Sequence, residues 1–169
     1  MGDFGFDYKV LSEVNSQHHK IIAGNHDNYN NIKENNYPHF LGDFGRAILN
    51  GVDFFFIRGA YSVDKAYRQE HISWWKDEEL TYGESHKCFD SYLENKPSIV
   101  ISHDCPTVMC ERFKYSAYVS SNTQYLLQEL FNAHEPDRWY FGHHHRNITE
   151  KIGKTTFTGL GELKFLDID

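Results

Sequence analysis

The sequence predicts a single α/β domain, because strand-like and helix-like segments alternate along the chain. The apolar runs at residues 54–57 and 99–101 have the length of buried strands. Between such runs, apolar residues recur at helical spacing, as they do through residues 84–94. A length of 169 residues matches one domain, so we treat residues 1–169 as one unit.

The first half of the chain predicts one helix and three strands. Tyr8, Leu11 and Val14 share a face of a helix over about residues 8–18. Residues 20–23 form a short buried strand that leads into an Asn-rich loop. Residues 47–49 and 52–57 are strands joined by a turn at Asn50 and Gly51.

The second half continues the alternation. A helix over residues 84–94 precedes a strand over 98–102. Ser121 and Gln124 have the spacing of a capping box and predict the start of another helix. Residues 138–141 form a strand, and residues 148–168 form two or three strands of a meander.

Composition excludes several classes of protein. The chain is 40% hydrophobic and 16% aromatic, which is too apolar for a disordered protein. No apolar run is long enough to cross a membrane. The formal net charge of −7 argues against nucleic-acid binding through a broad basic face. Three cysteines without a secretory signal favour a reducing cytoplasm.

Three predicted strand ends share one design, in which polar, metal-capable side chains directly follow an apolar run. Asn25 to Asp27, His103, and the histidine run at 143–145 occupy these places. The carboxyl ends of strands in an open α/β sheet face one crevice, so we expect these groups to meet. In an extended segment, His143 and His145 face one site while His144 faces away.

The donor types restrict the metal. Imidazoles with an amide oxygen and a carboxylate suit Mn, Fe, Zn or Ni rather than calcium. A structural zinc site is not expected, since the chain has no Cys-x-x-Cys pair. Cys105 and Cys110 follow His103 and are alternative soft ligands, but we interpret them as small buried residues.

These strand-end motifs resemble those of the calcineurin-like metallophosphoesterases, and they run in that family's order. Gly-Asp-Phe-Gly occurs at 2–5 and at 42–45, and the family's order selects Asp3 over Asp43. A weaker resemblance, to small single-domain members from bacteria and phages, covers residues 58–64 and the pair at 74–75. The stronger motifs are Gly2-Asp3-Phe4-Gly5, Gly24-Asn25-His26-Asp27, Ser102-His103-Asp104-Cys105-Pro106 and Gly142-His143-His144-His145.

The resemblance implies a layered α/β sandwich and a role for each matching residue. Asp3 would bridge two metal ions, and His145 would bind one of them. His26 would be the catalytic histidine near the leaving-group oxygen, oriented by Asp27. The remaining implied residues are the other metal ligands Asn25, His103 and His143, and the candidate substrate contacts His144 and Arg58.

One family motif is missing. The family begins with Asp-x-His at the end of a first strand, and only two residues precede Asp3. A strand, helix and strand take about 30 residues or more. We therefore expect an N-terminally truncated domain. The truncation would come from a cropped gene product, a wrongly chosen start or a natural fragment. The ion that His145 would bind lacks the two ligands that this motif supplies. We therefore expect close to one divalent ion per chain rather than two.

The implied function is hydrolysis of phosphomonoesters or phosphodiesters by a metal-activated hydroxide, with His26 assisting the leaving group. Manganese is the metal we expect first. One alternative is a catalytically impaired fragment that acts as a binding module. A second alternative is a DNA nuclease, in which nucleic acid is a partner only as substrate. The sequence does not fix the substrate or the oligomeric state, and it predicts no membrane partner.

Overall fold

A six-stranded mixed sheet forms the centre of the computed structural model, which describes residues 2–113 and 121–168. The strand order is β1-β2-β3-β4-β6-β5. The four inner strands are parallel, and β1 and β5 pair antiparallel at the two edges. This arrangement confirms the predicted α/β class. The strands are β1 (Phe44–Leu49), β2 (Val52–Ile57), β3 (Ile99–Ser102), β4 (Arg138–Phe141), β5 (Ile148–Ile152) and β6 (Thr155–Gly159).

Four α-helices accompany these strands in the described part of the chain. Ser121 and Gln124 form the predicted capping box of α4, and Thr81 and Glu84 form a second one on α2. No helix among the described residues has the length and apolar character needed to cross a membrane. The helices are α1 (Tyr29–Asn35), α2 (Tyr82–Asn95), α3 (Thr107–Cys110) and α4 (Asn122–Ala133), with 3-10 turns at Lys9–Glu13, Lys65–Tyr67, Lys76–Glu78 and Glu111–Phe113.

Alternating side chains of the strands build a core on each face of the sheet. In β2, Phe55 belongs to the same buried cluster as residues of α2 and α4, whereas Phe54 belongs to a separate cluster. In β4, Trp139 stacks on Phe157 with ring centroids 5.6 Å apart. This division follows from the two-residue period of a strand and fixes the register of the central sheet.

The N-terminal third departs from the sequence prediction. Of the helix predicted over residues 8–18, only Lys9–Glu13 is helical, as a 3-10 turn. It ends there because Val14 has extended backbone angles. Residues 20–23 form no ladder strand and have a single bridge, between Ile21 and Phe40. The Asn-rich segment contains α1, whose first turn is capped when Asn28 accepts a hydrogen bond from the Asn31 N–H.

The backbone brings the three predicted strand ends together at the carboxyl-terminal edge of the parallel strands. Ser102 pairs with Phe141 at the ends of β3 and β4. Beyond them, the Gly142 N–H donates to the His103 carbonyl at 2.9 Å. The Gly59 N–H, just after β2, donates to the Ala23 carbonyl at 2.8 Å. The segment that precedes Asn25 therefore lies beside the same edge without being a strand.

Candidate metal centre

Four side chains converge at this edge as potential metal ligands. The Asn25 Oδ1 lies 3.0 Å from His103 Nε2 and 3.1 Å from His143 Nδ1. His103 Nε2 lies 3.4 Å from Asp3 Oδ1. The donor atoms of Asp3, His103 and His143 all lie within 4.8 Å of one another. This spacing lets one cation contact a carboxylate, an amide oxygen and two imidazoles.

The amide of Asn25 is oriented by a chain of buried hydrogen bonds. Its Nδ2 donates to Ser62 Oγ at 2.9 Å, and that hydroxyl donates to Glu78 Oε2 at 2.6 Å. The nitrogen is thereby turned away from the centre and the carbonyl oxygen towards the two histidines. Outer partners of this kind fix the ligand atom of a metal site. No sequence pattern pointed to Ser62 or Glu78, since their link to Asn25 is made only by the tertiary fold.

Two glycines leave the room that the ligands occupy. A Cβ on Gly24 would lie 2.3 Å from Asp3 Oδ1 and 2.6 Å from His103 Cε1. A Cβ on Gly2 would lie 2.0 Å from His103 Nδ1. The backbone thus approaches both ligands as closely as only glycine allows. We call the backbone at Gly2 and Gly24 the glycine cradle of the centre. This cradle and the types of donor atom together fit a divalent cation.

The ligands have protonation states suited to binding. Burial alone would raise the pKa of Asp3, but the neighbouring His103 ring and the hydrogen bond from the His26 backbone N–H hold it below its usual value. Burial lowers the pKa of His143 to about 4. At neutral pH the centre therefore presents a carboxylate and a neutral imidazole, the forms that bind metal.

The histidine run has a left-handed backbone at two of its three residues. His143 and His145 have left-handed φ angles of 57° and 51°, so the segment is not an extended strand. His143 nevertheless faces the centre, and His144 turns the other way to contact Asp104. Left-handed backbone at non-glycine residues is strained and concentrates at functional sites. Asp3, with a φ of 57°, shares this feature.

His26 lies next to the ligands and beside an arginine that the sequence analysis missed. Its backbone N–H donates to Asp3 Oδ1 at 3.0 Å. The Arg68 nitrogens lie 2.9 Å from Nδ1 and 3.1 Å from Nε2 of the His26 ring. A neutral imidazole has only one acceptor nitrogen, so at most one of these contacts is a hydrogen bond. Arg68 is itself held by both carboxylate oxygens of Asp64, each at 2.7 Å.

Among the described residues, Asp27 hydrogen-bonds to the backbone of the loop rather than to the His26 ring. Its carboxylate accepts from the Gly24 N–H at 2.7 Å and the Gly5 N–H at 3.1 Å. Burial raises the pKa of Asp27 to about 6, against the lowering effect of the Gly24 hydrogen bond. Asp27 therefore ties together the two segments that carry Asp3 and Asn25, and its implied role in orienting His26 stays a prediction.

His145 lies on the wall of the cleft that leads to the centre. The cleft has a volume of about 500 Å³, and Asp3, His103 and His143 also line it. The His145 Nδ1 contacts Glu162 Oε1 at 2.6 Å, and both side chains are more than half exposed. His145 is not among the three-residue ligand group at the centre. Its implied role as ligand to another ion stays a prediction.

The two candidate substrate contacts occupy buried positions. The Arg58 Nε donates to Asp43, and Arg58 Nη1 donates to the Asp77 carbonyl at 2.6 Å. The guanidinium also lies 4.6 Å from the Tyr29 ring centroid, and the side chain is only 5% exposed. His144 is 8% exposed and contacts Asp104. The structure thus buries both side chains, and their implied contact with substrate stays a prediction.

The fold and this donor set define an α/β metalloprotein whose centre lies at the carboxyl ends of parallel strands. The model of the calcineurin-like phosphoesterase family matches residues 2–147. The chain therefore belongs to the calcineurin-like phosphoesterase family, as its motifs predicted. Membership implies metal-dependent chemistry on phosphoesters. A comparison with curated proteins found no match.

Proposed function

We propose that this chain hydrolyses phosphomonoesters or phosphodiesters at the centre formed by Asp3, Asn25, His103 and His143. The observation that carries the proposal is the convergence of these four donors, with His26 hydrogen-bonded through its backbone to Asp3. Manganese is the first metal to test, and iron, zinc and nickel share the same ligand preferences.

The geometry of the centre supports a separate role for each of these residues. A bound divalent cation supplies Lewis acidity, which neutralises phosphate charge and lowers the pKa of water. Asp3, Asn25, His103 and His143 hold that cation. His26 gives a proton or hydrogen bond to the leaving oxygen. Arg68 lies against the His26 ring and restricts its position, and it adds a positive charge beside the developing anion.

A binding module without catalysis is the second candidate. The observation that favours it is the contact of His145 with the exposed Glu162 instead of with the ligand group. A site that binds a phosphate ester through one cation but lacks further metal chemistry would retain affinity and lose turnover. The net charge of −7 makes a nucleic-acid substrate a less favoured choice.

Turnover of chromogenic esters separates these two candidates. The purified chain is stripped with a chelator and assayed with nitrophenyl phosphate and bis-nitrophenyl phosphate, with and without added manganese. We expect no turnover after stripping, and restored turnover of at least one ester when about one equivalent of manganese is added. Phosphate binding without turnover under any of the four metals would instead support the binding module.

A further inference from the structure

A second group of potential ligands lies directly behind the first centre and shares no residue with it. Asp104 and Cys105 follow His103, Cys110 ends α3, and His144 follows His143. One ligand atom from each of these four residues lies within 4.8 Å of all the others. Asp104 and Cys105 are fully buried, and Cys110 is 2% exposed. Nothing in the proposed phosphoesterase mechanism uses this group.

Three of the six ligand–ligand distances in the group are known individually, and all three are close to those around a tetrahedral ion. Cys105 Sγ lies 3.5 Å from Cys110 Sγ, Cys110 Sγ lies 3.9 Å from His144 Nε2, and that nitrogen lies 2.8 Å from Asp104 Oδ1. Tetrahedral zinc, with bonds of about 2.3 Å to sulfur and about 2.0 Å to nitrogen or oxygen, separates the same pairs by about 3.8, 3.5 and 3.3 Å. Each observed distance is thus within about 0.5 Å of the zinc geometry.

A buried oxygen in the group lacks a partner. Asp104 Oδ2 accepts no hydrogen bond within the described residues, although the side chain is fully buried. The other oxygen, Oδ1, already accepts from the Cys105 N–H at 2.7 Å and from Gln124 Nε2 at 3.3 Å. An unpaired buried carboxylate oxygen is unfavourable, so it indicates a missing cation or other donor.

We propose that Asp104, Cys105, Cys110 and His144 form a structural zinc site. All four ligands come from the protein, which leaves no open position for a substrate. Binding releases the two thiol protons and joins α3 to the loop after β4. Since His144 is adjacent to His143, the ion would hold the loop that supplies a ligand to the phosphoesterase centre.

The spacing of the four ligands along the chain explains why the sequence analysis predicted no structural zinc site. The cysteines are five residues apart rather than three, because Cys105 precedes α3 and Cys110 ends it, and His144 comes 34 residues after Cys110. Cys105 and Cys110 are buried, as the sequence predicted. Their sulfur atoms are well beyond the covalent distance of about 2.05 Å, so they are free thiols that can serve as ligands.

Cobalt substitution tests the proposal on the full-length chain. Cobalt bound by two thiolates gives a strong sulfur-to-cobalt charge-transfer band, whereas the oxygen- and nitrogen-based centre gives none. We expect the reduced, metal-free chain to develop this band to saturation with one bound cobalt, and zinc to abolish it by displacement. Absence of the band would overturn the proposal.

Single variants locate the site. Cys105→Ser and Cys110→Ser should each lose the band or reduce it by at least half, whereas the control Cys88→Ser, a buried cysteine of α2, should keep it. The band should also persist in Asn25→Ala, so failure of the phosphoesterase centre remains distinguishable. A full band in Cys110→Ser would overturn the proposal.

X-ray absorption on the unaltered chain avoids any dependence on how the cysteine variants fold. With one equivalent of zinc, we expect two sulfur ligands about 2.3 Å from the metal. A shell of nitrogen and oxygen alone would overturn the proposal.

Discussion

Replacement of His26 by alanine is expected to lower kcat by about 100- to 10,000-fold, the usual range for loss of a general acid. The metal content should stay unchanged, because the His26 ring is not one of the four ligands. Its link to the centre is the backbone N–H that donates to Asp3 Oδ1, and alanine retains that group. The measurement is steady-state turnover of manganese-loaded protein, together with elemental analysis of the same samples.

A second substrate separates proton donation from a merely structural effect. Phenyl phosphate has a more basic leaving oxygen than nitrophenyl phosphate, so it depends more on a proton donor. The loss of kcat in His26→Ala should therefore be larger for phenyl phosphate. His19→Ala removes an exposed histidine whose ring contacts the Asn15 carbonyl and should leave both rates unchanged. Equal losses on the two esters would contradict the assigned role.

Gly24→Ala is expected to weaken metal binding by about 10- to 100-fold, although Gly24 contributes no ligand. The new Cβ would lie 2.3 Å from Asp3 Oδ1 and 2.6 Å from both the Asp3 backbone nitrogen and His103 Cε1. Such contacts are too short to exist, so one or both ligands must move. Overpacking of this kind also lowers the free energy of unfolding, by about 1–3 kcal/mol.

Gly83→Ala is the matched control for that variant. Gly83 lies in α2, and a Cβ there would meet nothing within 4 Å. Alanine in a helix favours folding by up to about 1 kcal/mol over glycine, so this variant should be as stable as the parent or more stable. Metal titration and thermal unfolding measure both effects. Undiminished manganese affinity in Gly24→Ala would show that the cradle is not needed for the centre.

Local patterns predicted most of the sheet because their causes are local. Asn50 and Gly51 have φ angles of 50° and 85°, which the hairpin between β1 and β2 requires and which these residue types tolerate. The Ser121–Gln124 capping box is likewise a contact across three residues. The strand-end positions of His103 and His143 follow from parallel strands that share one edge, whereas the segment before Asn25 lies beside that edge without forming a strand.

Local sequence patterns could not predict contacts between segments that are distant in the sequence. Arg68 lies 42 residues from His26, and no periodicity connects the two. The burial of Arg58, a candidate substrate contact, depends on its contacts with Asp43 and Tyr29. The orientation of Asn25 depends on Ser62 and therefore on the loop after β2. These relations exist only once the chain is folded.

Anomalous diffraction from crystals soaked in manganese would locate the cation directly. We expect a peak at bonding distance from the carboxylate of Asp3, the Asn25 Oδ1, and one ring nitrogen each of His103 and His143. A well-ordered crystal that shows these four side chains but no manganese between them would contradict it, as would manganese bound only elsewhere.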